Sequence, residues 1–221
     1  MKKLSSPFDL IKKALSLFSK KENLLYLIQI YLPLIPFSII SVVQHYAPNS
    51  IINLNSFWVT PVAAVLQILY LLTYVFVAAS GIVAVGKVVE GGTLSVKSAF
   101  GSGWKKYWVF LLFSVIFFLI EVLGFVLLII PGVLFLVWFA FSRFIIIKSD
   151  LGIKEALVAS RQLAKGRFWK LLGRLIVFGA FTAVLEIILS IIPFGIGSIL
   201  TALAGGLFIL PIYLLFKEVS A

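Results

Sequence analysis

Residues 107–148 read YWVFLLFSVIFFLIEVLGFVLLIIPGVLFLVWFAFSRFIIIK. The stretch is roughly 42 residues long, and as a helix rising 1.5 Å per residue it measures about 63 Å. That is two thicknesses of an apolar bilayer core of about 30 Å. Only Glu121 and Arg143 interrupt it before Lys148. Pro131-Gly132 stands where the chain is expected to reverse, because proline lacks a backbone donor and glycine accepts a tight turn. Unbroken runs such as Val109-Phe110-Leu111-Leu112-Phe113 lack the alternation of a membrane barrel strand. The stretch therefore reads as two membrane helices.

The same reasoning extends outward. Residues 168–216 form a second double-length stretch, broken at Pro193-Phe194-Gly195-Ile196-Gly197. Residues 23–44 supply a span that Pro33 and Pro36 should bend, and residues 57–89 supply another. The expected spans are 23–44, 57–89, 107–130, 132–148, 168–192 and 197–216. The composition agrees. The 221 residues are 62% hydrophobic and 12% charged, against about 45–50% and about 25% in a soluble domain. Without cysteine, and with His45 as the one histidine, the chain excludes a disulfide framework, a Cys/His zinc site and a cysteine nucleophile. No catalytic residue, metal site or cofactor is expected, because no phosphate-cradling glycine loop, metal-ligand cluster or nucleophile elbow is present.

Charge placement orients the spans. Lys and Arg total 19 and Asp and Glu 8, for a net charge of +11. The basic residues precede the first span, lie between the second and third, cluster between the fourth and fifth, or follow the sixth. The other three connections carry none. By the positive-inside rule both termini are cytoplasmic. The charge is thus a topology signal whose natural partners are anionic headgroups, not nucleic acid, since no basic face is free of a neighbouring span. Trp58, Trp104, Trp108 and Trp169 fall near the expected interfaces, as an aromatic belt does, and Trp138 is expected between helices.

A short motif occurs three times: Ile11-Lys12-Lys13-Ala14-Leu15, Val96-Lys97-Ser98-Ala99-Phe100 and Ile153-Lys154-Glu155-Ala156-Leu157. Each copy opens an amphipathic stretch before a pair of spans, over residues 7–20, 94–105 and 151–165. In the first, Phe8, Ile11, Leu15 and Phe18 share one helical face. Ser6-Pro7 reads as its cap and first turn, and Asp150 as a cap for the third. These stretches are expected to lie on the cytoplasmic leaflet, lysines among headgroups and apolar faces in acyl chain. The fold class is then an all-α integral membrane protein of three hairpins, each with an amphipathic lead-in helix and related by pseudo-rotation about the membrane normal.

Ile130-Pro131-Gly132 through Trp138-Phe139, then Asp150-Leu151-Gly152, Glu155-Ala156-Leu157, Ser160, Leu163 and Lys165-Gly166 form a bacterial pattern. It resembles the six-span family of YciC-like proteins and the membrane domain of glycerophosphodiester phosphodiesterases. The likeness is sharpest over residues 130–172. It implies a six-span protein of the bacterial inner membrane and implies no catalysis, since the phosphodiesterase site of that family belongs to a separate soluble barrel.

Few residues are placed for chemistry. Glu121 and Glu186 fall in the outer halves of the third and fifth spans, where a charge near midplane costs about 2.5–3.5 kcal/mol. They read either as a proton- or cation-responsive pair lining a pathway or as partners in interhelical hydrogen bonds to Tyr70, Tyr74 or Thr182. Arg143 is near enough to the inner face to snorkel there. Gly179 with Ala183, and Gly197, Thr201 and Gly205, form small-residue stripes suited to helix packing. Lys12, Lys97, Lys154, Arg161 and Lys165 are the candidates for contact with lipid or a membrane protein partner. The leading expectation is a non-enzymatic membrane protein engaging anionic lipid or such a partner. The alternative is a small-solute transporter or channel using Glu121 and Glu186. An intramembrane enzyme acting on lipid would need a paired acid and base that the sequence lacks.

Overall fold

The computed structural model describes residues 4–46, 59–92, 95–127, 129–193 and 195–220. Six segments are long and apolar enough to cross a membrane: Lys21–Ile40, Ala64–Glu90, Val96–Val126, Ile129–Lys148, Phe168–Ser190 and Ile196–Ser220. Trp58, Leu94 and Phe194, at the edges of expected elements, lie outside the described residues.

The chain opens with α1 (Pro7–Phe18), whose first turn accepts Pro7 because that position needs no amide donor. Ser6 occupies the cap position, without a side-chain hydrogen bond. The first span is α2 (Lys21–Tyr31), a tight 3-10 turn at Leu32–Leu34 that contains Pro33, and α3 (Ile35–Tyr46). The α-helix is therefore interrupted at the expected place, at Pro33. The second span is α4 (Val59–Glu90). It stops at Gly91, whose φ of 70° suits glycine, and the amide of Gly92 turns back to the carbonyl of Lys87 at 2.9 Å.

Next, α5 (Val96–Leu127) runs unbroken. The second lead-in stretch is thus the first turns of the third span and not a separate helix, because no glycine-proline break separates Lys105-Lys106 from Tyr107. The reversal also comes earlier than Pro131. Helix α6 (Ile129–Phe139) contains Pro131 in its first turn, where a missing N–H costs no hydrogen bond. Gly132 instead serves close approach: a Cβ built on Gly124 would lie 3.0 Å from the Gly132 Cα, so α5 and α6 touch backbone to backbone.

The fourth span breaks at Ala140–Phe141 before α7 (Ser142–Lys148). The break is served by α8 (Ile153–Ala164), which packs on both pieces. The Ser160 hydroxyl, fully buried, donates to the Trp138 carbonyl at 2.7 Å and accepts from the Phe141 amide at 3.2 Å. Gly152, not Asp150, occupies the cap position of α8. The chain ends with α9 (Phe168–Ser190), α10 (Ile196–Leu203) and α11 (Gly205–Ser220). Between α9 and α10, Gly195 adopts φ of 71°, and a side chain on Gly197 would overlap the Leu189 carbonyl.

The lead-in segments pack in a consistent way. The first, α1, lies on α11; the opening turns of α5 lie on α4, with Phe100 stacked on Phe76 at 5.4 Å; and α8 lies on α6 and α7. Each segment rests on the helix that ends the preceding pair of spans, and the last pair closes on the first. Ala14, Ala99 and Ala156 are each fully buried, while the motif lysines Lys12, Lys97 and Lys154 are exposed. The apolar faces of α1 and α8 are therefore shared with protein. Leu10, Ile11 and Ala14 are covered, whereas Phe8 and Leu15 on the other edge of the α1 stripe stay exposed.

Candidate functional site

Most of the polar structure collects at the basic end of the bundle. The Lys148 ammonium, ending α7, is paired with Glu90, ending α4, and lies 5.5 Å from the Tyr213 ring on α11. The Tyr213 hydroxyl donates to Glu90 Oε1 at 3.2 Å. Lys106 on α5 donates to Asp150 at 2.6 Å and to the Ser149 carbonyl at 2.9 Å. The sequence reads Asp150 as a cap, but it is an ion-pair partner, and the Lys106 hydrogen bond holds its carboxyl below the usual carboxylate range. Arg174 on α9 donates to the carbonyls of Leu4 and Ser5, and the Ser5 hydroxyl donates to Glu218. These cross-links tie together residues of five spans and the N-terminal segment.

Several of the other cations face outward. Lys12, Lys97, Lys154 and Lys165 are exposed and form no ion pair among the described residues. Arg161 is also exposed, but its guanidinium stacks over Trp138 at 4.5 Å. Trp138 and Ser160, which belong to the sequence pattern over residues 130–172, thus meet at the α6–α7 break. Trp104, Trp108 and Trp169 are strongly exposed, as interfacial rings would be.

A cavity of about 630 Å³ lies at this same end, between the α1–α2 corner and the α4–α5 corner. Its polar lining is Lys20, Glu22, Asn23, Tyr26, Gln29 and Lys87, with Leu17, Leu25, Val88 and Val96 as apolar wall. Asn23 is tied to the Leu17 carbonyl at 2.8 Å, and Lys87 donates to Ser98 at 3.2 Å. Tyr26 is 4% exposed, and its hydroxyl is buried without a hydrogen-bond partner. In the sequence Lys20 and Lys87 count only among the basic residues that orient the spans, and Tyr26 carries no signal of its own. Only two helix corners facing each other place them together.

The intramembrane candidates are not gathered into a site. Glu121 has one carboxylate oxygen buried without a partner on α5, whereas Glu186 is exposed on α9. Neither lines the cavity, and among the described residues no hydrogen bond joins either to Tyr70, Tyr74 or Thr182. Arg143, in the first turn of α7, is half-buried, with its guanidinium carbon 5.0 Å from the Phe144 ring. Tyr31 is buried between Gly81 on α4 and Gly205 on α11. Of the small-residue stripes, Gly205 and Gly197 pack closely, but Gly179 and Ala183 are exposed, with nothing near Gly179. No cluster of His, Asp or Glu among the described residues could hold a metal ion.

No protein-family model matches the chain, and no curated protein or solved structure shows significant similarity to it.

Proposed function

We propose that this is a non-enzymatic, multi-pass protein of the bacterial inner membrane that engages anionic lipid headgroups through its basic end. In this reading both termini are cytoplasmic, the spans form three hairpins, and the chain is a relative of the six-span YciC-like family. One observation carries it: the repeated motif buries its alanine and exposes its lysine in three places around the bundle. A lysine held on a helix whose alanine is locked into the core has a set height and direction. Near an anionic leaflet each such cation contributes about 1 kcal/mol. Exposed Phe8, Leu15, Trp104 and Trp169 supply apolar and aromatic contact at the same end. A small-solute pathway gains less support, because Glu121 and Glu186 share no cavity.

The test is lipid retention. Charge reversal of Lys12, Lys97 and Lys154 should lower the number of phosphatidylglycerol molecules retained by the detergent-purified chain in native mass spectrometry while leaving phosphatidylcholine adducts unchanged. Equal phosphatidylglycerol retention in wild type and variant would refute the proposal. A thiol placed at Ser19 in the cysteine-free chain, inert to an impermeant reagent in intact cells and reactive in lysed ones, checks the orientation.

A further inference from the structure

We propose that the cavity between the α1–α2 and α4–α5 corners binds the phosphate of a single phospholipid headgroup. This inference deepens the lipid-contact reading from loose surface attraction to one held molecule. It uses residues other than Lys12, Lys97 and Lys154.

Three independent features converge on the cavity. The first is charge: Lys20 and Lys87 line it against one carboxylate, Glu22, so the lining is net positive. Lys20 and Glu22 come from the start of α2 and Lys87 from the end of α4. The second is the backbone. Lys20 caps α2 without any side-chain hydrogen bond to the helix, and the first intrahelical bond here is from the Leu24 amide to the Lys20 carbonyl. The amides of the opening turn are oriented toward that end, where an anion is favoured by both hydrogen bonding and the helix dipole. The third is Tyr26, nearly fully buried in the cavity wall with a hydroxyl that bonds to nothing in the protein. A buried hydroxyl without a partner is costly, and a small shift of the Tyr26 side chain toward the cavity would let a phosphate oxygen relieve it.

Size and position select a headgroup. A cavity of about 630 Å³ lies in the range of sites that enclose small molecules. Its apolar wall of Leu17, Leu25, Val88 and Val96 suits the glycerol and first methylenes of a lipid, and its polar lining suits the phosphate. It also stands where the apolar spans end and lysines begin, the depth at which phospholipid phosphates lie.

The experiment uses the full chain, delipidated in mild detergent. It is titrated with dioleoyl phosphatidylglycerol in one arm and with inorganic phosphate in the other. Native mass spectrometry counts adducts, and amine-reactive footprinting reads the accessibility of Lys20 and Lys87. The expected result is one phospholipid adduct that survives dilution, with Lys20 and Lys87 protected. A Lys20→Ala/Lys87→Ala variant should bind about a hundredfold more weakly, since each of the two charged hydrogen bonds is worth a factor of about ten. Tyr26→Phe keeps the ring and the fold and should weaken binding by a smaller factor. The Lys12/Lys97/Lys154 charge-reversal variant should keep this adduct, so failure here is distinguishable from failure of the surface reading. Protection by inorganic phosphate without a lipid adduct would assign the same phosphate chemistry to a free anion. Lys20 and Lys87 reacting equally fast with and without both probes, or unchanged binding in both cavity variants, would overturn the proposal.

Discussion

Replacing Ser160 with alanine removes one oxygen from the point where the fourth span breaks. That oxygen donates to the Trp138 carbonyl at 2.7 Å and accepts from the Phe141 amide at 3.2 Å. Side-chain hydrogen bonds inside membrane proteins average about 0.6 kcal/mol and reach about 1.7 kcal/mol, because a displaced group usually finds another partner in the bundle. Two bonds then bracket the loss between about 1.2 and about 3.4 kcal/mol. A value near the middle of that range applies here. The Phe141 amide sits at a helix break beside a fully buried ring, and an orphaned buried backbone donor costs about 1–3 kcal/mol. About 2 kcal/mol is expected, roughly a thirtyfold shift in the unfolding equilibrium. Reversible unfolding of the purified protein in mixed detergent micelles, followed by tryptophan fluorescence, measures it. Exposed Ser16→Ala on α1 is the control and should be silent. A loss below about 0.5 kcal/mol for Ser160→Ala, the noise of surface substitutions, would refute the claim that this hydroxyl satisfies the break.

Two further outcomes follow from the same geometry. Gly103→Ala would drive a methyl into Ser80, 3.0 Å from its Cα and amide nitrogen, and should cost about 1–3 kcal/mol as overpacking does; Gly179→Ala meets nothing within 4 Å and should be neutral or gain up to about 1 kcal/mol of helix propensity. Paired melting curves of the two variants decide this, and equal losses would sink it. Asp150 has a folded-state pKa below its unfolded value, because Lys106 donates to it. The pair's contribution is therefore present above the ordinary carboxylate range and disappears as pH falls through the lowered value. Lys106→Ala should raise the Asp150 midpoint in a carboxyl NMR titration toward about 3.9, and an unmoved midpoint would show that the ion pair is not formed in solution.

Hydropathy made the six apolar helices legible, because lipid imposes a length and a composition that no soluble helix needs. Pro33 marked the interruption of the first span for a local reason. Pro131 misled, since proline is tolerated in a first helical turn as readily as in a reversal, and the two look alike in one dimension. The second lead-in merged with its span because an apolar-periodic stretch and a fully apolar one can share a helix when no breaker lies between them.

What the chain determined alone was everything set by neighbours in sequence: the spans, the segregation of Lys and Arg to alternate connections, and the thrice-used motif. Tertiary structure decided which charges are structural and which are available. Lys106, Lys148 and Arg174 are consumed by carboxylates or carbonyls 43 or more positions away or on other helices, and Lys12, Lys97 and Lys154 are left exposed. It also assembled Lys20, Tyr26 and Lys87 around one cavity and left Glu121 and Glu186 apart. The physical reason is that helical periodicity assigns a residue to a face, whereas the partner of that face depends on how helices distant in the chain come to lie side by side.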